Sequence, residues 1–180
     1  MRAEIKSRLK ELDIRIIGWV DQWDPLAAQW ICESFPEYDP DNSNNVLVTE
    51  WFRSMKADSD NTFYAITSHG KPIGIGAIVT QNPILRSAEC HLFLDESMAN
   101  RGIGHLIALN TFDMLFDNGF ETLTIKPKRD NFRAVNTAKK LGFKESKDII
   151  PMELTKDSWR NNNGYMAIQK SEELKGENYG

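Results

Sequence analysis

The stretch Leu92-Phe93-Leu94-Asp95-Glu96-Ser97-Met98-Ala99-Asn100-Arg101-Gly102-Ile103-Gly104-His105-Leu106-Ile107 decides the reading of this chain. It reads as a β-strand, a glycine-containing loop and an amphipathic helix that starts within the loop. Gly102 and Gly104 carry no Cβ, so a ligand can approach the backbone closely there. The first amides of such a helix have no intrahelical acceptor and lie at the positive end of its dipole. A turn of this kind suits a phosphate or pyrophosphate, and the sequence therefore predicts a phosphorylated cofactor.

Working outward, residues 1–12 place Ile5, Leu9 and Leu12 on one helical stripe, and residues 12–20 read as a strand. Asp24-Pro25 opens a helix to about Ser34, with proline at the first helical position. Residues 35–45, rich in Pro, Asp and Asn, read as a loop. A helix over 48–56 follows, with Thr49 as cap and Trp51, Phe52 and Met55 on its apolar side. The period then changes to two. Residues 62–67 and 72–80 are strands joined by Ser68-His69-Gly70-Lys71, a hairpin signature, and 88–94 is a third. The helix from Gly102 stops at Asn118-Gly119, with Phe120 as the apolar residue beyond. Residues 121–126 form a strand, Asp130 or Asn131 caps a helix that stops at Leu141-Gly142-Phe143, and 144–149 with 152–154 make a closing strand pair. From about Arg160 the chain is polar, and residues 161–180 are expected to be a flexible tail to a domain over 1–160.

With 180 residues, 41% of them hydrophobic and 27% charged, the chain is long enough for one domain with a real core. No apolar run is long enough to cross a membrane, and no apolar segment follows the mixed-charge N-terminus as a signal peptide requires. A cytoplasmic location is expected. Cys32 and Cys90 form no metal-binding spacing, and neighbouring strand residues Cys90 and His91 point to opposite faces, so no metal is expected. The net charge of −4 argues against a general nucleic-acid binder. Residues 1–60 hold 12 acidic and 7 basic residues, a net of −5, whereas residues 126–147 hold 8 basic and 2 acidic, a net of +6. That asymmetry suits a cationic substrate and an anionic cofactor.

Which phosphate ligand the turn takes is narrowed by elimination. A dinucleotide fingerprint starting at Gly102 needs glycine where Ile107 stands, and Gly74-Ile75-Gly76 needs it where Val79 stands. No G-x-x-x-x-G-K-[ST] occurs. The order strand, Ala99-Asn-Arg-Gly-Ile-Gly-His-Leu106, helix, strand, then Asn131-Phe-Arg-Ala-Val-Asn-Thr-Ala-Lys-Lys-Leu-Gly-Phe143 resembles the GNAT N-acetyltransferase superfamily. The resemblance implies an α/β, single-domain GNAT-like fold, a mixed central β-sheet flanked by helices on both faces. It also implies acetyl-CoA as cosubstrate, its pyrophosphate on the amides of Arg101, Gly102, Ile103, Gly104 and His105. The ending Met152-Glu-Leu-Thr-Lys-Asp-Ser-Trp159 is similar to the branch that acetylates protein N-termini and polyamines.

The chemistry sets its own requirements. An amine attacks a thioester only when neutral, and a lysine-like amine of pKa about 10.4 is neutral in about one molecule in a few thousand at pH 7. A base can take that proton. Alternation puts Glu89, His91 and Phe93 on one face of their strand and Cys90, Leu92 and Leu94 on the other. Glu89 resembles the base glutamate of the histone-acetylating branch, and His91 is the second candidate. The resemblance implies that strand amides of Leu92, Phe93 and Leu94 serve the thioester carbonyl, a role that needs N–H donors. Asn131 is placed either to hydrogen-bond the pantetheine arm or to cap its helix; Arg133 and Lys128 are placed to meet the phosphates. His105 reads as structural apart from its amide, and His69 as a surface residue.

Two departures from the family pattern stand out. Ala99 replaces the usual Gln or Arg of the loop, and Ala138 replaces the Tyr that in many members protonates the leaving thiolate. The expectation is slow but measurable transfer, with Ala138→Tyr neutral or mildly activating. The aromatic residues Trp19, Trp23, Trp30, Phe35, Tyr38 and Trp51 and the acidic residues Glu33, Glu37, Asp39 and Asp41 fall where the family shapes its acceptor site. The acceptor is expected to be a primary amine: a protein or peptide N-terminus, a lysine, a polyamine or another small amine. Two alternatives remain at this point, a GNAT-fold protein that binds CoA or a partner without catalysis, and a toxin that acetylates aminoacyl-tRNA. A homodimer is compatible with the sequence.

Overall fold

The computed structural model describes residues 2–35, 46–98, 101–128, 130–145 and 151–161. Its centre is a seven-stranded sheet in the order β1-β2-β3-β4-β5-β7-β6. The strands are β1 (Ile14–Gly18), β2 (Thr62–Ser68), β3 (Lys71–Asn82), β4 (Ser87–Leu94), β5 (Thr122–Ile125), β6 (Lys144–Glu145) and β7 (Met152–Thr155). All neighbours are antiparallel except β4 and β5, which run parallel. The helices are α1 (Arg2–Glu11), α2 (Asp24–Ser34), α3 (Val46–Ala57), α4 (Ile103–Asp117), α5 (Phe132–Lys140) and α6 (Lys156–Asn161).

Local chemistry sets the element ends. The β2–β3 hairpin turns through His69 and Gly70, both left-handed at φ 49° and 74°, the combination that matches the twist of the flanking strands. Helices α4 and α5 stop in the same way. Gly119 and Gly142 take φ 100° and 94°, and the next residues return their amides to the helix, Phe120 to Leu115 O and Phe143 to Ala138 O.

Two apolar clusters cover the two faces of the sheet. On one face, Ile5 and Leu9 of α1, Ile103, Ile107, Phe112 and Phe116 of α4, and Ala138 of α5 pack on Ile66, Ile78, Cys90, Leu123 and Leu154. On the other, Ala27, Trp30 and Ile31 of α2 and Val48 and Phe52 of α3 pack on Phe63, Ile75 and Phe93. The mixed sheet with helices on both faces is therefore as the sequence predicts.

Several boundaries differ. Helix α3 begins at Val46, so Thr49 is a buried interior residue and not its cap. Trp51, expected on the apolar side, is 49% exposed, because Val48 and Phe52 set the buried stripe. Strand β1 covers Ile14–Gly18 and not 12–20, pairing with Ser68 to Tyr64 of β2. Arg160 lies in α6 and not in a tail: the Trp159 ring is buried, and its Nε1 donates to Asp113 Oδ1 of α4 at 3.0 Å. The predicted loop over 36–45, the loop positions Ala99 and Asn100 and the chain beyond 161 lie outside the described residues. No described helix is long and apolar enough to cross a membrane.

Candidate active site

Strands β4 and β5 form a ladder of only three rungs, Ser87↔Thr122, Ala88↔Leu123 and Glu89↔Thr124. Beyond Glu89 strand β4 runs on to Leu94 paired with β3 alone, so its other edge opens into a splay. The alternation of that edge follows from one bond. Asp95 N–H donates to Ile73 O at 2.9 Å, which turns the main-chain polar groups of Asp95, Phe93 and His91 toward β3. The N–H groups of Cys90, Leu92 and Leu94 then face the splay. Ala88, of the same parity, agrees, because its carbonyl accepts from Thr124 Oγ1 of β5. Of the three predicted strand amides, Leu92 and Leu94 thus face the open edge and Phe93 does not.

Side chains alternate in the same register. Leu92 and Leu94 face α4, whose first turn comes very close: a Cβ on Gly104 would lie 3.3 Å from Leu94 Cδ1 and 3.8 Å from Leu92 Cδ2. Gly102 caps α4 at φ 72°, a conformation that favours glycine, with no side chain capping the helix. The first intrahelical bond runs from Leu106 N to Gly102 O, so the amides of Gly102, Ile103, Gly104 and His105 have no partner in the helix. Arg101 is exposed and, with Ile103, Met98 and His69, lines a cavity of about 320 Å³ beside the turn. Burial lowers the pKa of the His105 imidazole, and the charge of Lys140 on α5 lowers it further.

The opposite face of β4 carries ionisable side chains. Glu89 Oε1 lies 2.8 Å from His91 Nε2, and Glu89 Oε2 lies 2.5 Å from Lys126 Nζ at the end of β5. The hydrogen bond from His91 pulls the Glu89 carboxyl down; burial opposes it, Lys126 adds to the pull, and the result is about 2. The His91 ring stacks on Phe93 (6.2 Å, 10°), Phe93 meets Phe35 edge-on at 5.9 Å, and Lys128 Nζ sits 4.4 Å above the Phe35 ring. Below this wall, α2 and α3 are tied by Asp24, which is 1% exposed and accepts from Trp19 Nε1 (2.9 Å), Arg53 Nε (3.1 Å) and Lys56 Nζ (2.6 Å). Burial pushes its carboxyl up, and the three hydrogen bonds, that of Lys56 first, hold it below its ordinary value.

The fold thus brings Glu89 and His91 together on one face, and Gly102, Ile103, Gly104 and His105 onto the other side of the same strand. Asn131 is the cap of α5: its Oδ1 accepts from Ala134 N at 3.0 Å, which leaves its amide NH₂ as a donor. Arg133 is exposed on the first turn of that helix. Of the aromatic residues in the N-terminal third, Trp30 is core and Trp19, Trp23 and Phe35 are half-buried. Lys126 was not singled out by sequence reasoning, which saw only a basic stretch. Its place depends on the parallel β4–β5 register, where it lies two residues beyond Thr124 on the face of Glu89. Gly74 and Gly76 also gain a reason: a Cβ on Gly76 would enter the Tyr64 ring, and one on Gly74 would strike Phe93 O at 2.5 Å. Ala138 is 1% exposed, packed in the core of the α4 face.

Known structures share this fold. The spermidine N-acetyltransferase SpeG of Vibrio cholerae, solved with CoA and spermine, superposes with a TM-score of 0.69 at 15% identity, over 83% of this chain and 99% of that one. Aminoglycoside acetyltransferase AAC(6')-Ib, solved with coenzyme A, does so with a TM-score of 0.68 at 16% identity, over 83% and 99%. The same enzyme with ribostamycin and coenzyme A gives 0.69 at 15% identity, over 83% and 97%. No curated protein sequence matches the chain significantly. At these identities the superpositions speak for the fold. The model of the acetyltransferase (GNAT) family matches residues 25–143, two-thirds of the sequence and the part that holds both sides of β4, and the chain therefore belongs to that family of enzymes.

Proposed function

We propose that the protein moves an acetyl group from acetyl-CoA to a primary amine by direct attack. The observation that carries this reading is the two-sided construction of β4: an uncapped turn of amides on one side, an ionisable pair on the other, and an open strand edge between them. CoA would place its pyrophosphate on the amides of Arg101 to His105. Its pantetheine arm would run along the open edge of β4, with the NH₂ of Asn131 as a donor and Arg133 near the phosphates; Lys128, expected there from the sequence, lies instead over the Phe35 ring on the α2–α3 face. The thioester carbonyl would accept from the Leu92 or Leu94 N–H, which face that edge and stabilise the oxyanion as it forms.

The amine enters from the α2–α3 side and loses one proton to the Glu89–His91 pair. The nitrogen then bonds to the thioester carbon, the C–S bond breaks with its electron pair on sulfur, and the second amine proton goes to that thiolate or to water. A thiol of pKa about 8.5 leaves without full protonation, so the absence of a tyrosine at position 138 slows the step without forbidding it. Support for an amine acceptor comes from the relatives solved with spermine and ribostamycin. Incubation with acetyl-CoA and a panel of peptides, lysine derivatives, polyamines and aminoglycosides, with thiol release followed, tests the reading. Steady thiol release dependent on one amine class is expected. A protein that binds acetyl-CoA and acetylates none of them would instead be a binding member of the family, the reading that Ala138 favours.

A further inference from the structure

We propose that His91 takes the proton from the acceptor through Nδ1, and that Glu89 and Lys126 are positioning residues that hold it. This inference rests on the acetyltransferase reading above and divides the roles within it. The three side chains form a chain from the inside of the sheet outward. Glu89 is the inner member: its side chain is 11% exposed and both its oxygens are engaged, Oε1 by His91 Nε2 and Oε2 by Lys126 Nζ. His91 is the outer member at 30% exposure, and no partner for its Nδ1 occurs among the described residues. Since Nε2 donates to the carboxylate, neutral His91 keeps its lone pair on Nδ1, the nitrogen able to accept a proton from an incoming ammonium. Phe93 fixes the plane of the ring by stacking on it, and Phe35 backs Phe93.

Lys126 makes the arrangement specific. It follows directly on β5, whereas Glu89 and His91 come from β4, and Glu89↔Thr124 is the last rung before the strands part. Its ion pair with Glu89 therefore bridges the two strands at the point where the splay begins. This fixes which carboxylate oxygen is left for His91. A carboxylate with both oxygens engaged, and held at about 2 by these two partners, is a poor acceptor for the proton of an ammonium, whereas the Nδ1 lone pair of neutral His91 is open to it. The step balances simply: the ammonium gives H⁺ to Nδ1, the free amine attacks, and the imidazolium returns the proton to solvent after the thiolate has left.

Among the described residues, the titratable groups near the His91 ring or its aromatic neighbours are Glu89 on its own strand, Lys126 just after β5, Lys128 over Phe35 and, on α2, Cys32 in the cluster that holds Phe93. Glu89 and Lys126 act on it with opposite sign. Removing the carboxylate withdraws support from the imidazolium, and removing the ammonium withdraws repulsion. The experiment compares wild type, His91→Ala, His91→Gln, Glu89→Gln, Lys126→Met and Lys126→Arg, by kcat and kcat/KM against pH and by NMR titration of the His91 ring where it is present. Both His91 variants should lose about 10²–10⁴ in kcat with KM for acetyl-CoA retained, and added imidazole should restore part of the loss in His91→Ala. Glu89→Gln should lose about tenfold and move the acidic limb and the NMR midpoint to lower pH; Lys126→Met should move both to higher pH, and Lys126→Arg should reverse most of that. Wild-type turnover in both His91 variants would overturn the assignment. A Glu89→Gln loss as deep as that of His91→Ala, with no acidic limb left, would make Glu89 the base. Shifts of the same sign in Glu89→Gln and Lys126→Met would remove the positioning role. If wild type transfers no acetyl group, the parent reading fails and takes the base with it; NMR midpoints that still move apart would identify that case, because they need no turnover.

Discussion

The two faces of β4 are built from different materials. On the α4 face the site consists of main chain and missing side chains: amides of Gly102 to His105 without helical partners, and Gly104 against Leu94. On the α2–α3 face it consists of charge and rings: Glu89 between His91 and Lys126, and Phe93 against Phe35. The first kind of surface is indifferent to which side chains surround it but has no room for bulk. The second has room, since Lys126 is 54% exposed, but depends on charge. Bulk should therefore break one face and protonation the other.

The largest effect is expected on the main-chain face. Gly104→Glu adds a side chain and a negative charge where the pyrophosphate is proposed to bind, and its Cβ presses on the flexible end of Leu94, which can move aside. The fold should persist by circular dichroism while acetyl-CoA affinity, measured by calorimetry, falls about 10³-fold, roughly 4 kcal/mol. A folded variant with unchanged affinity would move the cofactor away from this turn.

Acid should act on the other face. The Glu89 carboxyl lies at about 2 in the folded chain against 4.5 for a free side chain, and that of Asp24 is also lowered. For groups depressed on folding, the stabilisation is complete above the unfolded pKa and is lost as pH falls through the folded one. The window for Glu89 is therefore from about pH 4.5 down to about pH 2, with at most about 3 kcal/mol at stake. Chemical denaturation at pH 7, 4 and 3 should show stability falling across that window, and the fall should be shallower in Glu89→Gln. Equal slopes in the two proteins would mean that the Glu89 pair contributes nothing to folding.

The same contrast explains what the sequence could tell. Gly102-Ile103-Gly104 is a local signal: a turn and a helix start are written in consecutive residues, so the glycine turn and both Gly-Phe helix stops are readable, and the cap of α5 is narrowed to Asp130 or Asn131. Glu89 and His91 could be put on one face by alternation alone. Lys126 could not, because its contact with Glu89 depends on a parallel strand 37 residues away in sequence whose register nothing local specifies. The sequence marks Asp24 as the start of a helix, yet its carboxylate joins Trp19 to Lys56 and Arg53 of α3. Thr49 and Trp51 differ from the sequence expectation for a related reason. A helix stripe can be slid by one residue until the sheet beneath it decides which residues are buried, and here that choice falls on Val48 and Phe52.

Position 138 tests which of the two construction rules holds at the edge between the faces. A tyrosine there is expected from the family pattern to help the leaving thiolate, but Ala138 is 1% exposed among Ile103, Leu141 and Phe143. Its carbonyl also accepts the Phe143 N–H at 3.0 Å, which closes the end of α5. A phenol ring must therefore displace core side chains or tilt the helix, an overpacking cost of about 1–3 kcal/mol. For a chain of this length each kcal/mol lowers the melting temperature by about 2–4 °C. Ala138→Tyr should melt several degrees lower than wild type with no gain in turnover, where the sequence alone suggests a neutral or mildly activating change. A variant as stable as wild type and faster in thiol release would mean that the ring finds space in the splay, and position 138 would then belong to the site and not to the core beneath it.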